Sequence, residues 1–431
     1  MKKALIILFS LIISDLASAQ NEVKQDTIYK KLEEVVIKED KKVFTNKNGN
    51  LKIDVTNSIL KSVPNTIDLL SKLPNVIIGA DKETISIVGK GNPLIYIDNQ
   101  KVTINDLNTL SVDEIKSIEI INNPSAKYEA EGRVVILITR KLSKKEGFKI
   151  DLTETASIKK GFNNYLGINT SIKKKKLELK ANFNYNQLTV WERHNIKYEI
   201  PDANIISNYD VEAFTKRPQS IFGSGLFYKI NEDDYLSISG NAKMQKDFFS
   251  IDTKTINNQN NFENNILTRS NNDENRVFIN SFVNYSKKIK SINTQLFSGF
   301  QFSNFNQEMT TLVENNYNNS QFELVQNRYQ KFNVSVISGR TDLEKTFKNE
   351  MKLELGGLFL NADAKTNSNI SNLVNLVSTD SKYNFKEQNI SGYSQISGKI
   401  KTFQYSAGFR IENTNIIGKY RTESLPLIKK E

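Results

Sequence analysis

The sequence predicts a small α/β domain followed by an antiparallel transmembrane β-barrel, of which about eleven strands are present. Three observations predict it. The N-terminus reads as an export signal, residues 148–413 alternate apolar and polar side chains with period two, and the connections between the alternating runs switch between short and long.

The N-terminus sets the compartment. Lys2 and Lys3 precede an apolar run from Ala4 to Ile13, and Ala17, Ser18 and Ala19 supply small residues at cleavage spacing, so residues 1–19 read as a signal peptide and Gln20 as the mature N-terminus. Ten apolar residues would span only about 15 Å of helix, half of a hydrocarbon core of about 30 Å, so the run is too short for an anchor. No later stretch offers the roughly 20 apolar residues a spanning helix needs, which leaves strands as the means of crossing. The chain has 431 residues, no cysteine and one histidine, so disulfide stapling and thiolate metal sites are excluded. Its net charge of +11 comes from lysines spread along the whole length. No basic helix concentrates them, so nucleic acid is not expected as a partner, and a solvated surface near lipopolysaccharide phosphates suits the charge better.

Residues 41–145 read as the α/β unit. Asn65 or Thr66 caps a short helix carrying Ile67, Leu69, Leu70 and Leu73, and Pro74 stops it. Residues 84–88 and 94–97 are short β-branched runs, the second ending in a turn at Asp98 and Asn99. Ser111 and Glu114 have capping-box spacing ahead of Ile115, Ile118, Ile120 and Ile121, and Asn122, Asn123 and Pro124 break that run. A last apolar strand covers 134–139. Gly89 and Gly91 resemble the start of a dinucleotide loop, but no third glycine opens a helix, so they read as a hairpin turn.

Residues 146–431 read as the barrel. Leu177, Leu179, Ala181, Phe183 and Tyr185 share one face, against Glu178, Lys180, Asn182 and Asn184 on the other. Met351 to Phe359 and Phe403 to Ile411 repeat the pattern. Eleven strands are expected near 148–157, 163–172, 177–188, 218–230, 235–246, 275–285, 292–304, 330–340, 350–361, 388–400 and 403–413. Segments 173–176, 231–234, 286–291, 341–349 and 401–402 are the short links, and 189–217, 247–274, 305–329 and 362–387 are expected as long polar loops. Tight turns on one side and extended loops on the other are what a membrane barrel requires. A soluble β-sandwich also alternates, but its strands run about 5–6 residues and carry no side-specific loop lengths. Tyr185, Tyr228, Tyr235, Tyr285 and Phe305 sit near strand ends and are expected in interfacial girdles.

Four stretches give the first region a family likeness: LEEVVI at 32–37, TIDLLSKLPNV at 66–76, LIYIDNQ at 94–100 and IKSIEIINNPSAKYEAEGRVVILITRK at 115–141. In this order they resemble the plug of TonB-dependent outer-membrane receptors, particularly the Bacteroidetes-like version. The resemblance implies a plug at 41–145 inside an outer-membrane barrel that imports an extracellular ligand. It also places Leu32, Glu33, Glu34, Val35, Val36 and Ile37, within an N-terminal periplasmic segment at 20–40, at or beside the strand that pairs with TonB. An extended Val-Val-Ile run suits strand addition, and it equally suits a first plug strand. Implied partners are TonB with its inner-membrane energising complex, outer-membrane lipid and lipopolysaccharide, the barrel assembly machinery and an unidentified ligand, whether siderophore or glycan. The sequence departs from the family between Gly132 and Val134, where Arg133 stands alone and relatives often carry more small residues.

Length is the larger departure. Family barrels carry about 22 strands, so this barrel is expected to be partial and the chain truncated at its C-terminus, or the barrel to be open. An eleven-strand cylinder would have a backbone radius near 11 Å. A plug of about 110 residues has a solid radius of roughly 17 Å and cannot fit inside it.

Catalysis has little support in the residues. His194 is the sole histidine, it lies in an expected loop, and no GxSxG turn accompanies it. Trp191, Glu192 and Arg193 beside it read as loop residues. No catalytic, cofactor or metal residue is expected. The alternatives to energised import are a surface adhesin or other non-energised outer-membrane barrel, and an inactive truncated fragment.

Overall fold

The computed structural model describes residues 42–47, 50–79, 82–98, 100–107, 110–128, 134–141, 146–158, 160–203, 205–231, 234–259 and 262–426. The segment Leu32 to Ile37, the signal peptide expected at 1–19, and Gly132 with Arg133 lie outside them.

The first region is built on a six-stranded sheet in the order β1-β2-β7-β8-β5-β6, in which β5 and β8 alone run parallel. Its strands are β1 Phe44–Lys47, β2 Asn50–Asp54, β5 Leu94–Ile97, β6 Gln100–Val102, β7 Ile115–Ile121 and β8 Val135–Arg140. A separate hairpin joins β3 Val76–Ile78 to β4 Ile85–Ile87. Helix α1 is Thr66–Leu70, where Asn65 accepts from the Asp68 amide at 2.8 Å, and α2 is Ile104–Leu107. Ile53, Val55, Ile67, Leu69, Leu70, Leu107, Ile118, Ile136 and Ile138 form a core at most 2% exposed. Burying each such side chain is worth about 1.5–3 kcal/mol, enough to hold a small domain together.

The capping box at Ser111 does not form. Ser111 makes no side-chain cap bond, and Val112–Glu114 is a single 3-10 turn that feeds straight into β7. Four isoleucines in the next seven residues favour a pleated ladder over a helix. Strands β1, β2 and β6 were not expected from the sequence, because runs of three to five residues are too short to carry a periodic signal.

The second region is one antiparallel sheet of eleven strands in strict chain order. They are β9 Gly147–Ile158, β10 Phe162–Lys174, β11 Leu177–Ile200, β12 Ile205–Lys229, β13 Tyr235–Gln259, β14 Phe262–Ile289, β15 Thr294–Tyr317, β16 Glu323–Thr346, β17 Lys352–Asn372, β18 Val377–Ile400 and β19 Phe403–Pro426. The count and the short turns agree with the sequence. The long loops do not: 189–217, 247–274, 305–329 and 362–387 are mostly continued strand, so β11 and β15 reach 24 residues and β14 reaches 28. At about 3.3 Å per residue, 24 residues extend about 80 Å, far more than a bilayer needs.

The sheet does not close: β9 and β19 are its edges. An eleven-strand cylinder is too narrow to hold the small domain, and the sheet stays open with its inner face packed against that domain. Phe282 of β14 enters the small domain's own apolar core.

The faces sort by parity. Ladder partners share a side, and Asn241 pairs with Asn280 while Ile238 pairs with Val283. Asn280, Gln245 and Glu178 are buried on the inner face, whereas Ile238, Ile279, Phe300 and Phe359 are 40–49% exposed on the outer one. On β15 the outward apolar side chains are Leu296, Phe300 and Phe302, a stretch of seven residues, shorter than the 9–11 of a tilted membrane strand. Tyr185, Tyr228 and Tyr285 belong to this outer face. Tyr235 and Phe305 do not. Tyr235 stacks on inward Phe227 at 5.2 Å, and Phe305 pairs with inward Phe278, because their registers place both on the inner side.

Candidate functional site: the contact between small domain and wall

Most of the contacts that hold the small domain to the wall are polar. The densest set surrounds Glu83, in the β3–β4 hairpin. Its two carboxylate oxygens accept from Arg276 NH1, each at 2.7 Å, and Arg217 NH1 lies 3.4 Å away. Arg217 Nε donates to Asp247 at 3.0 Å, and Arg276 NH2 donates to Glu274 at 2.7 Å. Gln245 donates to Asp247 at 3.0 Å and reaches Glu83 at 3.3 Å, while Gln307 donates to Glu274. Lys243, Arg276, Glu83, Ile104, Phe278 and Phe305 line a cavity of about 180 Å³ beside this network. Three carboxylates face three cations, so the group is nearly neutral and no charge is stranded in a half-dry site.

Burial pushes the Glu83 carboxyl up, but the charges of Arg217 and then Arg276 outweigh it and hold its pKa below the ordinary carboxylate range. It is therefore ionised in the docked state. Asp106, on α2, behaves oppositely: burial dominates and raises its pKa. Thr103 donates to it through its amide at 2.8 Å and its hydroxyl at 3.0 Å, and Asn280 and Asn241 reach across from the wall. A directional amide chain follows, with Gln100 donating to Gln301 at 2.9 Å, Gln301 to Asn280 at 3.4 Å, and Asn280 to Asp106.

Further along, Gln395 accepts from the Ala126 amide at 2.9 Å, and Arg340 NH2 donates to the Lys127 carbonyl at 3.4 Å. Arg340 also sits 5.8 Å from the Tyr96 ring, which packs edge-on against Tyr128 at 5.0 Å. Arg340 is fixed by Asp342 at 2.7 Å, and Tyr393 donates to Asp342 at 2.6 Å. Gly356 makes room for that bond, since a Cβ there would stand 2.3 Å from the Tyr393 ring. At the other end Lys180 meets Glu114 at 3.5 Å and Lys149 meets Asp113 at 3.0 Å.

None of these contact residues stood out in the sequence as a site. Polar residues spaced by two on the inner face were legible as a pattern, but which of them would meet the small domain depends on register and curvature. His194 lies on the continued β11, not in a loop, 3.8 Å from Glu192 and 60% exposed. Trp191 donates to Glu212 at 2.6 Å and Arg193 to Asp210 at 2.6 Å, so these neighbours are rungs of a ladder. Among the described residues no three His, Asp or Glu side chains converge as a metal cluster. Gly89 and Gly91 take φ of 72° and 81° in the turn after β4, as a hairpin turn requires.

With an outward apolar band, an inward polar face and a folded domain against that face, the sheet has the organisation of a membrane barrel wall. Residues 287–427 match the outer membrane protein beta-barrel family. The outer membrane is therefore the compartment of this barrel wall. No curated protein matches the chain in sequence. Among solved structures, the ferric yersiniabactin uptake receptor FyuA from Yersinia pestis aligns over 85% of this chain and 72% of its own, with 9% identity and a TM-score of 0.41. The ferric citrate transporter FecA in its unliganded form aligns over 87% and 74%, with 10% identity and a TM-score of 0.39. The RagAB peptide importer in its open-open state aligns over 85% and 73%, with 8% identity and a TM-score of 0.33. At these scores the likenesses carry no argument, and the assignment stands on the geometry and the 287–427 match.

Proposed function

We propose that the chain is an energised importer, with a plug at 41–145, a barrel at 146–431 and an N-terminal segment that is pulled from the periplasm by TonB and its inner-membrane complex. The observation that carries this reading is the kind of contact between plug and wall. Beside a few buried apolar wall side chains such as Phe282, Ile221 and Phe278, it is made of ion pairs and amide bonds, which exchange readily for water when a domain is displaced. A greasy interface of the same extent would resist displacement.

In this reading an extracellular ligand binds above the plug, and traction on Leu32, Glu33, Glu34, Val35, Val36 and Ile37 detaches the Glu83 hairpin from Arg276 and Arg217. The wall itself stays in lipid and lipopolysaccharide, placed there by the barrel assembly machinery after the signal peptide is removed. Strand addition needs free backbone N–H groups, so Val36→Pro is expected to abolish binding to the soluble TonB domain while leaving membrane insertion intact. Deleting residues 21–38 is expected to stop uptake while cell-surface ligand binding persists. Uptake that continues after the deletion would favour a non-energised adhesin.

A further inference from the structure

The long strands exchange the chemistry of their two faces part-way up. At the level of the plug the outer face is apolar and the inner face holds Lys243, Asp247, Glu274, Arg276, Arg340 and Asp342. Above that level the charges move outside. Arg193 and Asp210, Arg269 and Asp252, and Lys331 and Glu308 pair on outward positions at 2.6, 3.1 and 2.6 Å. By register, the inward positions of segments 205–215, 249–257, 264–272 and 309–317 carry no charged residue. Over the described upper stretches of β11, β16, β17 and β18 the inward charges are Glu192, Glu323, Arg328 and Glu387, with His194 beside them.

This upper inner wall is mostly half-buried, with Ser207, Asn272 and Thr311 buried, so an unpaired charge placed on it would be partly desolvated. Its rings include Tyr209, Phe249, Tyr317, Phe332, Tyr383 and Phe385, and Tyr198 packs edge-on against Tyr209 at 5.7 Å. Between them run hydroxyl and amide rungs: Thr311 donates to Asn272 at 2.6 Å, Thr268 to Asn315 at 2.9 Å, and Ser207 to Asn257 at 3.0 Å. We propose that this wall is the binding surface for a neutral oligosaccharide. Aromatic faces suit the C–H faces of sugar rings, and short hydroxyl and amide side chains suit vicinal hydroxyls. An anionic ferric chelate would meet a wall with Arg328 as its one arginine or lysine among these inward positions, a poor electrostatic match. An extended peptide gains affinity by pairing with a free sheet edge, whereas the backbone of this wall is already paired within the ladder.

The inference rests on the import reading for its biological setting, and its test does not need transport. The full chain in detergent is titrated calorimetrically with four probes: a mixture of neutral glucan, mannan and xylan oligosaccharides, sulfated dextran oligosaccharides, ferric citrate, and an uncharged Gly-Ser-Thr peptide. Saturable binding of the neutral sugars alone is expected, unchanged when salt is raised about tenfold. The double variant Phe249→Ala with Phe332→Ala should weaken it at least tenfold. Stronger binding of the sulfated, ferric or peptide probe, or no binding of the neutral sugars, overturns the inference. If sugars bind but uptake survives deletion of 21–38, the import reading falls and this one stands; the reverse result separates them the other way.

Discussion

Removing the charge of Glu83 tests how the plug is latched. Glu83→Gln keeps the shape but turns one of two 2.7 Å acceptor contacts into an amide facing the Arg276 guanidinium. A hydrogen bond to a charged group contributes about 1.5–3 kcal/mol, and because the Glu83 side chain is 28% exposed, solvent screening lowers the expected loss to about 1–2 kcal/mol. Arg276 and Arg217 keep Glu274 and Asp247, so neither is stranded. At 1.36 kcal/mol per tenfold, the hairpin should open about 5- to 30-fold more often. Hydrogen exchange reads this directly at amides closed within it, such as Ile87 to the Gly91 carbonyl at 2.8 Å and Val88 to Asn75 at 2.9 Å. Amides of β7 and β8 should not change. The depressed pKa of Glu83 means its contribution is fully present above the unfolded value near 4.3 and is lost as pH falls through the lower folded value. The wild type should therefore acquire the variant's exchange rates in acid, while the variant changes little. Unaltered hairpin exchange in Glu83→Gln, or equal acceleration across β7, would refute the latch.

Other outcomes follow from the same contacts. Asp106→Ala leaves the Thr103 amide and hydroxyl and two wall amides without their acceptor, and should cost about 2–4 kcal/mol in plug docking, read by thermal unfolding. Asp106→Asn should lose less and should also flatten the pH profile: the raised pKa of Asp106 makes its ionised form a growing cost as pH climbs from about 3.9 through the folded value. Tyr393→Phe should lower denaturant resistance by about 1–2 kcal/mol by removing the 2.6 Å bond to buried Asp342, and Gly356→Ala should do so by displacing the Tyr393 ring. Phe300→Arg, at the middle of the outer apolar stretch of β15, should destabilise the wall in lipid vesicles by about 2–4 kcal/mol.

The sequence disclosed the strand count, the turns and the plug helix because each has a local cause: period-two alternation, short polar links of two to nine residues, and Asn65 ahead of an apolar helix stopped by Pro74. It concealed the upper half of the wall for a physical reason. Beyond Leu188 on β11 the apolar and charged faces trade places, so a strand of one piece reads as a strand followed by a polar loop. The latch was hidden differently. Glu83, Asp106 and Gln100 look like ordinary surface residues, and they become a site when the inner wall brings Arg276, Asn280 and Gln301 opposite them from 174 to 201 residues away. Arg276 faces inward by the register of β14, and no local rule could pair it with Glu83. Tyr235 and Phe305 failed as girdle residues because proximity to a strand end says nothing of which side a side chain takes.

Depth-dependent quenching reports whether the outer face of the eleven-stranded sheet meets hydrocarbon. The chain has no cysteine, so single labels can be placed on β15 at Phe300→Cys, outward in the apolar band, Ser303→Cys, inward, and Glu308→Cys, outward above it. In vesicles of chain-brominated lipid, the label at 300 should be strongly quenched and those at 303 and 308 should respond instead to an aqueous quencher. Equal aqueous quenching at 300 and 308 would contradict the account, because no membrane would then cover the band.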